Sequence, residues 1–410
     1  MRRVVVTGMS GISPLGTGWE ETARGLKALK NTVVRMDAWA EYKGMNTQLA
    51  APIPHFELPA ERYPRKVTRG MGRVSLLAVR ATELALEDAG LLGAPIIASG
   101  ETGVAYGSSS GTQDAIADMG IMLTEKSTRG ITATTYVRMM SHTAPVNIGL
   151  FFKAKGRILT TSSACTSGSQ GIGYAYEAIK FGRQTIMLAG GSEELHPTQA
   201  AVFDTLFATS TMNDAPERTP RPFDRDRDGL VIGEGAGTLV LEELSHAQAR
   251  DARIYAEVVG YGTNSDGWHV THPNKDTMQV AMTLALQDAG ARPEEVGYVN
   301  GHGTATENGD LAESLATYAV FGGKVPFSSL KSYIGHTLGA CGALEAWMTL
   351  QMMREGWAAP TLNLEHVDER CGALDYIRGE LRPIETDLVM SNNFAFGGIN
   401  TSLLFRRWRE

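Results

Sequence analysis

The sequence predicts an α/β fold with layered helices and sheet, on three observations. Strand-like and helix-like segments alternate along the whole chain, as they do in layered α/β proteins. A seven-residue phrase occurs twice, LALEDAG at 84–90 and LALQDAG at 284–290, each closing an amphipathic helix. The 410 residues are 43% hydrophobic and 20% charged, enough globular chain for two core-sized units.

The elements follow in order. MRRVVVTGMSG has two arginines and only a short apolar run before glycines, which predicts a first strand rather than a signal peptide. The first helix puts Val74, Leu77, Ala78, Ala81, Leu84 and Ala85 on one apolar face. The second does the same with Met278, Ala281, Met282, Ala285 and Leu286. A short strand ending in glycine comes next in each case, GVAYG at 103–107 and VGYVNG at 296–301. Matching stages of two α/β halves predict duplication, with units of 1–250 and 251–410 joined through the polar stretch 243–253.

Bulk properties narrow the function. A net charge of −7 gives no general attraction to nucleic acid or an anionic membrane. No stretch approaches the ~18 apolar residues of a spanning helix. Cys165, Cys341 and Cys371 are odd in number and far apart, against a disulfide framework, and lack the close pairs of a structural zinc site. A reducing cytoplasm is the expected compartment.

The segment GRILTTSSACTSGSQG (156–171) reads as a buried strand, a turn of small residues and a helix opening at Cys165. Free helix N–H groups there favour a thiolate and can bind an oxyanion. The plainer reading is a small core cysteine. Other turns sharpen the first reading. NGHGTATENGD (300–310) sets His302 in a glycine-bracketed loop after a strand, and SSLKSYIGHTLGACGALEAW (328–347) carries Lys331 and His336 through a strand, a glycine turn and a helix. SNNFAFGGINTSLLF (391–405) reads as a strand, a Phe-Gly-Gly turn and a second strand. Loops beyond strands are where α/β proteins gather their chemistry.

Three patterns compete. Gly-Ser-Ser-Ser-Gly at 107–111 fits a serine-hydrolase turn around Ser109, and an esterase or thioesterase is the rival enzyme class. Asp224, Asp226, Asp228 and Gly229 imitate a calcium loop, but the twelfth position is Gly235 where glutamate is required. His269 and His272 make only two ligands of a metal set.

Taken together, the blocks resemble the elongating β-ketoacyl-acyl carrier protein synthases of the thiolase superfamily. The likeness runs from RVVVTGMSGISPLG (3–16) through RPFDRDRDGLVIGEGAG (221–237) to the last strand. It implies a thiolase-like fold, with duplicated βαβαβαββ halves in a five-layer αβαβα arrangement. It implies Cys165 as acyl acceptor, His302 and His336 as the decarboxylation pair, and Lys331 and Glu345 as supporting polar residues. Thr304, Thr306 and Thr271 match pantetheine contacts. Phe396 matches the gating aromatic, its N–H joining that of Cys165 in the oxyanion hole. Cys341 stands where alanine is usual and reads as structural. No metal or cofactor is implied, since phosphopantetheine arrives on the carrier protein. The partners implied are that carrier, docked on Arg65 and Lys66, and a second subunit, either a copy of the chain or a chain-length-factor-like protein. A non-catalytic chain-length-factor type is disfavoured because Cys165, His302 and His336 are all present.

Departures refine the likeness. GTATEN and FAFGGIN replace commoner turns, and Ala395 is expected to restrict the turn that admits the acyl chain. With AAVFDTLFATS (200–210) and 338–364, these variants are similar to ketosynthases of aryl-polyene clusters. Fatty-acid elongation is the alternative pathway.

Overall fold

The structure, a computed structural model, describes residues 1–409. Its centre is a twelve-stranded sheet, of which ten strands carry the architecture. The first half of the chain supplies β1 (Val4–Ser13), β2 (Thr102–Gly107), β3 (Ile158–Thr160), β4 (Ile186–Glu193) and β5 (Gly235–Glu243). The second supplies β6 (Ala256–Ser265), β7 (Tyr298–Asn300), β8 (Pro326–Ser328), β9 (Leu388–Ala395) and β10 (Ile399–Arg407). The spatial orders are β1-β5-β4-β2-β3 and β6-β10-β9-β7-β8. In each, the first two pairings are antiparallel and the next two parallel. Order and direction therefore repeat. The halves meet where Val4–Val6 of β1 pairs antiparallel with residues 256–258 of β6.

Six helices complete five layers: α1 (Arg73–Asp88), α2 (Thr143–Phe152), α3 (Ser167–Lys180), α4 (Lys275–Ala289), α5 (Glu307–Phe321) and α6 (Cys341–Glu355). α1 and α2 lie outside the first half-sheet, α4 and α5 outside the second, and α3 and α6 between them. That central position explains α6, whose residues from Cys341 to Met353 are all buried, as a helix apolar on every side requires. All five residues of the predicted α4 face are buried, as are five of the six on α1, where Leu84 is only partly covered.

The repeated phrase has a structural cause. β1 slips register against β5 between Val6 and Gly8, and β6 slips against β10 between Val258 and Gly260. At each bulge the covering helix touches backbone. A Cβ on Gly8 would lie 2.4 Å from the Ala85 carbonyl oxygen, and one on Gly260 would lie 2.2 Å from that of Ala285. The next residue's N–H donates to the helix's aspartate, Met9 to Asp88 at 3.0 Å and Tyr261 to Asp288 at 3.2 Å. The Ala and Asp of LALEDAG and LALQDAG are thus the receivers of two equivalent bulges.

One expectation fails. The strand before Cys165 is not buried: β3 is an edge, paired only with β2, and Ile158 is 43% exposed. Among the described residues no helix is long and apolar enough to cross a membrane.

Candidate active site

Between β3 and α3 the chain makes a 3-10 turn, Ala164–Thr166, and the α-helix begins at Ser167. Cys165 thus precedes the helix by two residues rather than opening it as the sequence suggests. Ala164 adopts left-handed backbone, φ 49°, which costs a non-glycine residue about 1–2 kcal/mol. Ser167 holds that shape: its Oγ accepts the Ser163 N–H at 3.0 Å and donates to the Ala164 carbonyl at 2.7 Å.

His302 follows β7, on a loop clamped by acids of α5. The Glu313 carboxylate accepts the N–H groups of His302 and Gly303 at 2.6 and 2.7 Å, and Asp310 accepts those of Thr304 and Ala305 at 2.9 and 3.1 Å. β8 leads into the short helix Lys331–Ile334, then Gly335 at φ 67°, then His336, whose N–H donates to the Val231 carbonyl at 2.7 Å. Phe396 sits in the β9–β10 turn. The left-handed residues there are Gly397 and Gly398, while Ala395 is the last ladder residue, paired with Ile399. Ala395 thus stands beside the turn in ladder backbone.

These loops bring Cys165, His302 and His336 together, with their ligand atoms within 4.8 Å of one another. His336 Nε2 is 3.0 Å from Cys165 Sγ. The backbone N–H groups of Phe396 and Cys165 are turned on the sulfur. Behind the trio, Lys331 is ion-paired with Glu345, both fully buried. Asn393 Nδ2 donates to Glu345 Oε2 at 2.8 Å, and it stands 3.3 Å from His302 Nδ1.

Hydrogen bonding assigns both imidazole tautomers. His336 Nδ1 accepts the Leu338 N–H at 3.2 Å, so its proton is on Nε2, facing the sulfur. The Asn393 amide must present N–H to Glu345, so it also donates to His302 Nδ1 and leaves that proton on Nε2. Burial, aided by the Lys331 charge, holds both histidines well below the ordinary imidazole range. The site therefore offers two neutral N–H donors beside a thiol. The thiol itself departs from the helix-dipole expectation: burial pushes Cys165 up to about 11, outweighing the pull of Lys331 and the two N–H groups. Donors of this kind could hold a soft metal ion, but the buried Lys331 ammonium beside them opposes a cation.

A cavity of about 600 Å³ connects Cys165 with the surface and is lined by Phe203, Thr271, Thr304, Thr306 and Phe396 among others. Cys341 does not border it; its thiol donates to the Cys165 carbonyl at 3.1 Å. Arg65 and Lys66 are exposed on a separate short helix, Arg65–Thr68, away from the lining. The rival patterns do not assemble. Ser109 Oγ meets Ser110 Oγ at 3.5 Å and the Glu193 carboxylate, and no histidine bonds it among the described residues. Asp224 spends its carboxylate on backbone N–H groups of Asp226, Glu365 and His366. His269 and His272 meet edge to face with no third ligand among the described residues.

Sequence reading missed Glu313 and Asn393. Glu313 carried a signal, an acid three residues beyond Asp310 on the helix that follows the His302 loop. Asn393 carried none, since its partners lie 48 and 91 positions away.

Comparison with known proteins gives the family. Residues 1–247 match the family model of the β-ketoacyl synthase N-terminal domain, and residues 255–365 that of its C-terminal domain. The 3-oxoacyl-[acyl-carrier-protein] synthase 2 of Vibrio cholerae is 38% identical over 99% of both chains. A β-ketoacyl synthase crystal structure from Burkholderia phymatum superposes with a TM-score of 0.98 at 60% identity, covering all of both chains. A ketosynthase from Xenorhabdus doucetiae, solved in complex with its chain length factor, gives 0.85 at 26% identity over 99% of this chain and 98% of that one. With both family domains matched and the whole length shared, this chain belongs to the β-ketoacyl synthase family.

Proposed function

We infer that the chain is a β-ketoacyl-acyl carrier protein synthase, an acyltransferase that joins an acyl group to malonyl-carrier with loss of carbon dioxide. The observation that carries the residue roles is the pair of neutral Nε2–H donors set beside the buried Cys165 thiol. In the first step Cys165 attacks the acyl thioester. The N–H groups of Cys165 and Phe396 take the developing oxyanion, and the thiol proton leaves with the carrier's sulfur. Malonyl-carrier then enters, and His302 and His336 donate to its thioester carbonyl while the carboxylate departs as carbon dioxide. The resulting enolate carbon attacks the acyl-enzyme, expels the Cys165 thiolate and yields the β-ketoacyl-carrier. Lys331, Glu345 and Asn393 hold His302 in its donating tautomer, and the Leu338 N–H does the same for His336. Thr304, Thr306 and Thr271 line the path of the pantetheine arm, and no resident cofactor is needed.

The starter we assign is an aryl-conjugated chain, as in aryl-polyene elongation. Phe203 and Phe396, with ring centroids 5.2 Å apart in the cavity that reaches Cys165, suit a flat conjugated group. The test supplies aryl-enoyl and saturated acyl carriers side by side with malonyl-carrier. Faster turnover of the aryl-enoyl chain supports the assignment, and faster turnover of the saturated chain returns the protein to fatty-acid elongation.

A second subunit, a copy or a chain-length factor, is proposed on the open edge of β3. The packed segments leading to it expose Ile116, Ile121, Leu123, Tyr136, Leu150 and Ile158. Sedimentation alone and with a chain-length factor separates the two forms, and a lone monomer in both runs excludes both.

A further inference from the structure

The mouth of the cavity carries a second exposed apolar surface that catalysis does not use. Cys165 is only 4% exposed, so its thioester substrates must arrive on a slender arm while the protein bearing the arm stays outside. Two apolar segments stand on the rim, 201–208 at the end of the helix Pro197–Asp204 and 266–273 after β6, beside a third, 306–309, that exposes Glu307. Neither apolar segment contains a lysine or arginine. Instead they expose Val202, Leu206, Phe207, Trp268 and Val270, with Phe207 at 88% and Trp268 at 80%.

Phe207 is the most telling of these. It follows a helix C-terminus in left-handed backbone, φ 53°, a place glycine or asparagine fills more readily. An aromatic there is strained and wet, with no return in packing within this chain. The second segment is fastened to the catalytic turn: the Gly397 N–H donates to the Val270 carbonyl at 2.8 Å, and the Asp266 N–H to that of Gly398 at 2.7 Å. A partner seated on this rim therefore presses on the loop next to Phe396.

We propose that Val202, Leu206, Phe207, Trp268 and Val270 form an apolar docking surface for the acyl carrier protein, and that the carrier it fits presents exposed aliphatic side chains beside its pantetheine attachment point. This rests on the condensing-enzyme reading above. Docking on this rim draws on burial of aromatic side chains and responds weakly to salt, unlike docking through the exposed Arg65 and Lys66.

The test follows acylation of Cys165 by intact mass, offering one acyl group on a type II acyl carrier protein and on N-acetylcysteamine. The Phe207→Ser/Trp268→Ser double variant should slow transfer from the carrier by about ten-fold or more. Its transfer from the small thioester should stay within about a factor of two of wild type, which also reports that the variant is folded. Wild-type transfer from the carrier should change little between low and high sodium chloride. Equal rates from the carrier in variant and wild type overturn the proposal, as does equal slowing with both thioesters. A wild type inert to both vehicles overturns the condensing reading instead.

Discussion

The two halves of the chain build the same elbow and use it differently. Before α3 stands the 3-10 turn Ala164–Thr166, and before α6 stands its counterpart, Leu338–Ala340. Both turns open on a left-handed non-glycine residue, Ala164 at φ 49° and Leu338 at φ 45°. The next position is Cys165 in the first and Gly339 in the second. Cys165 faces the cavity. At Gly339 a Cβ would lie 2.7 Å from the Ser109 nitrogen and 2.8 Å from the Ser108 Cα. Duplication thus supplied two strained turns aimed at the centre. Only one has room for a nucleophile, while the other is closed by the loop after β2.

The central helices meet in the same paired way. A Cβ on Gly168 of α3 would lie 2.9 Å from the Ala343 nitrogen, and one on Gly342 of α6 would lie 2.7 Å from the Ser169 nitrogen. Backbone-to-backbone contact fixes the distance between the elbows, and with it the separation of Cys165 from His336.

The largest expected effect breaks the first elbow. Cys165→Ala should abolish acyl-enzyme formation by intact mass spectrometry, and continued acylation would remove Cys165 from the reaction. Next comes the donor that faces it. His336→Ala should still be acylated but lose about 10²–10⁴-fold in malonyl decarboxylation, read as carbon dioxide release. Because both histidines titrate well below 6.5, the wild-type rate should hold as pH falls through 6.5 and decline only further down, as the imidazoles gain protons. A decline centred near 6.5 would contradict the buried neutral pair.

A smaller effect sharpens the contrast of the elbows. Gly339→Ala should cost about 1–3 kcal/mol by overpacking the closed turn, read as a lower denaturation midpoint. An unchanged midpoint would mean the second elbow has room after all. Smallest is Cys341→Ala, which removes one thiol donor from the Cys165 carbonyl. Turnover should stay within a few-fold and stability within about 1 kcal/mol. Loss of condensation there would make Cys341 part of the chemistry.

Local pattern made much of this legible. The α4 face was readable because apolar spacing at helical period needs no knowledge of partners. His302 in Gly-His-Gly and His336 in Gly-His-Thr stood out because glycine marks tight turns after strands. What stayed hidden depends on distant pairing. The edge position of β3 follows from strand order, which residues 158–160 do not encode. Neither alanine nor leucine announces left-handed backbone, so both elbows were invisible. The Cys165 thiol was read from the helix start alone, and the burial that outweighs it comes from loops of both halves.

The position of β1 bears on how the protein is made. All ten of its residues are buried, yet its partner β5 pairs Val4 with Glu243, roughly 240 positions downstream. At about 5–20 residues per second, a ribosome reaches that partner about ten to fifty seconds after β1 emerges. α1 can shield one face of β1 in that interval, but its edges wait. Newly made chains should therefore depend on chaperones most before the first half is complete, while β1 still waits for β5.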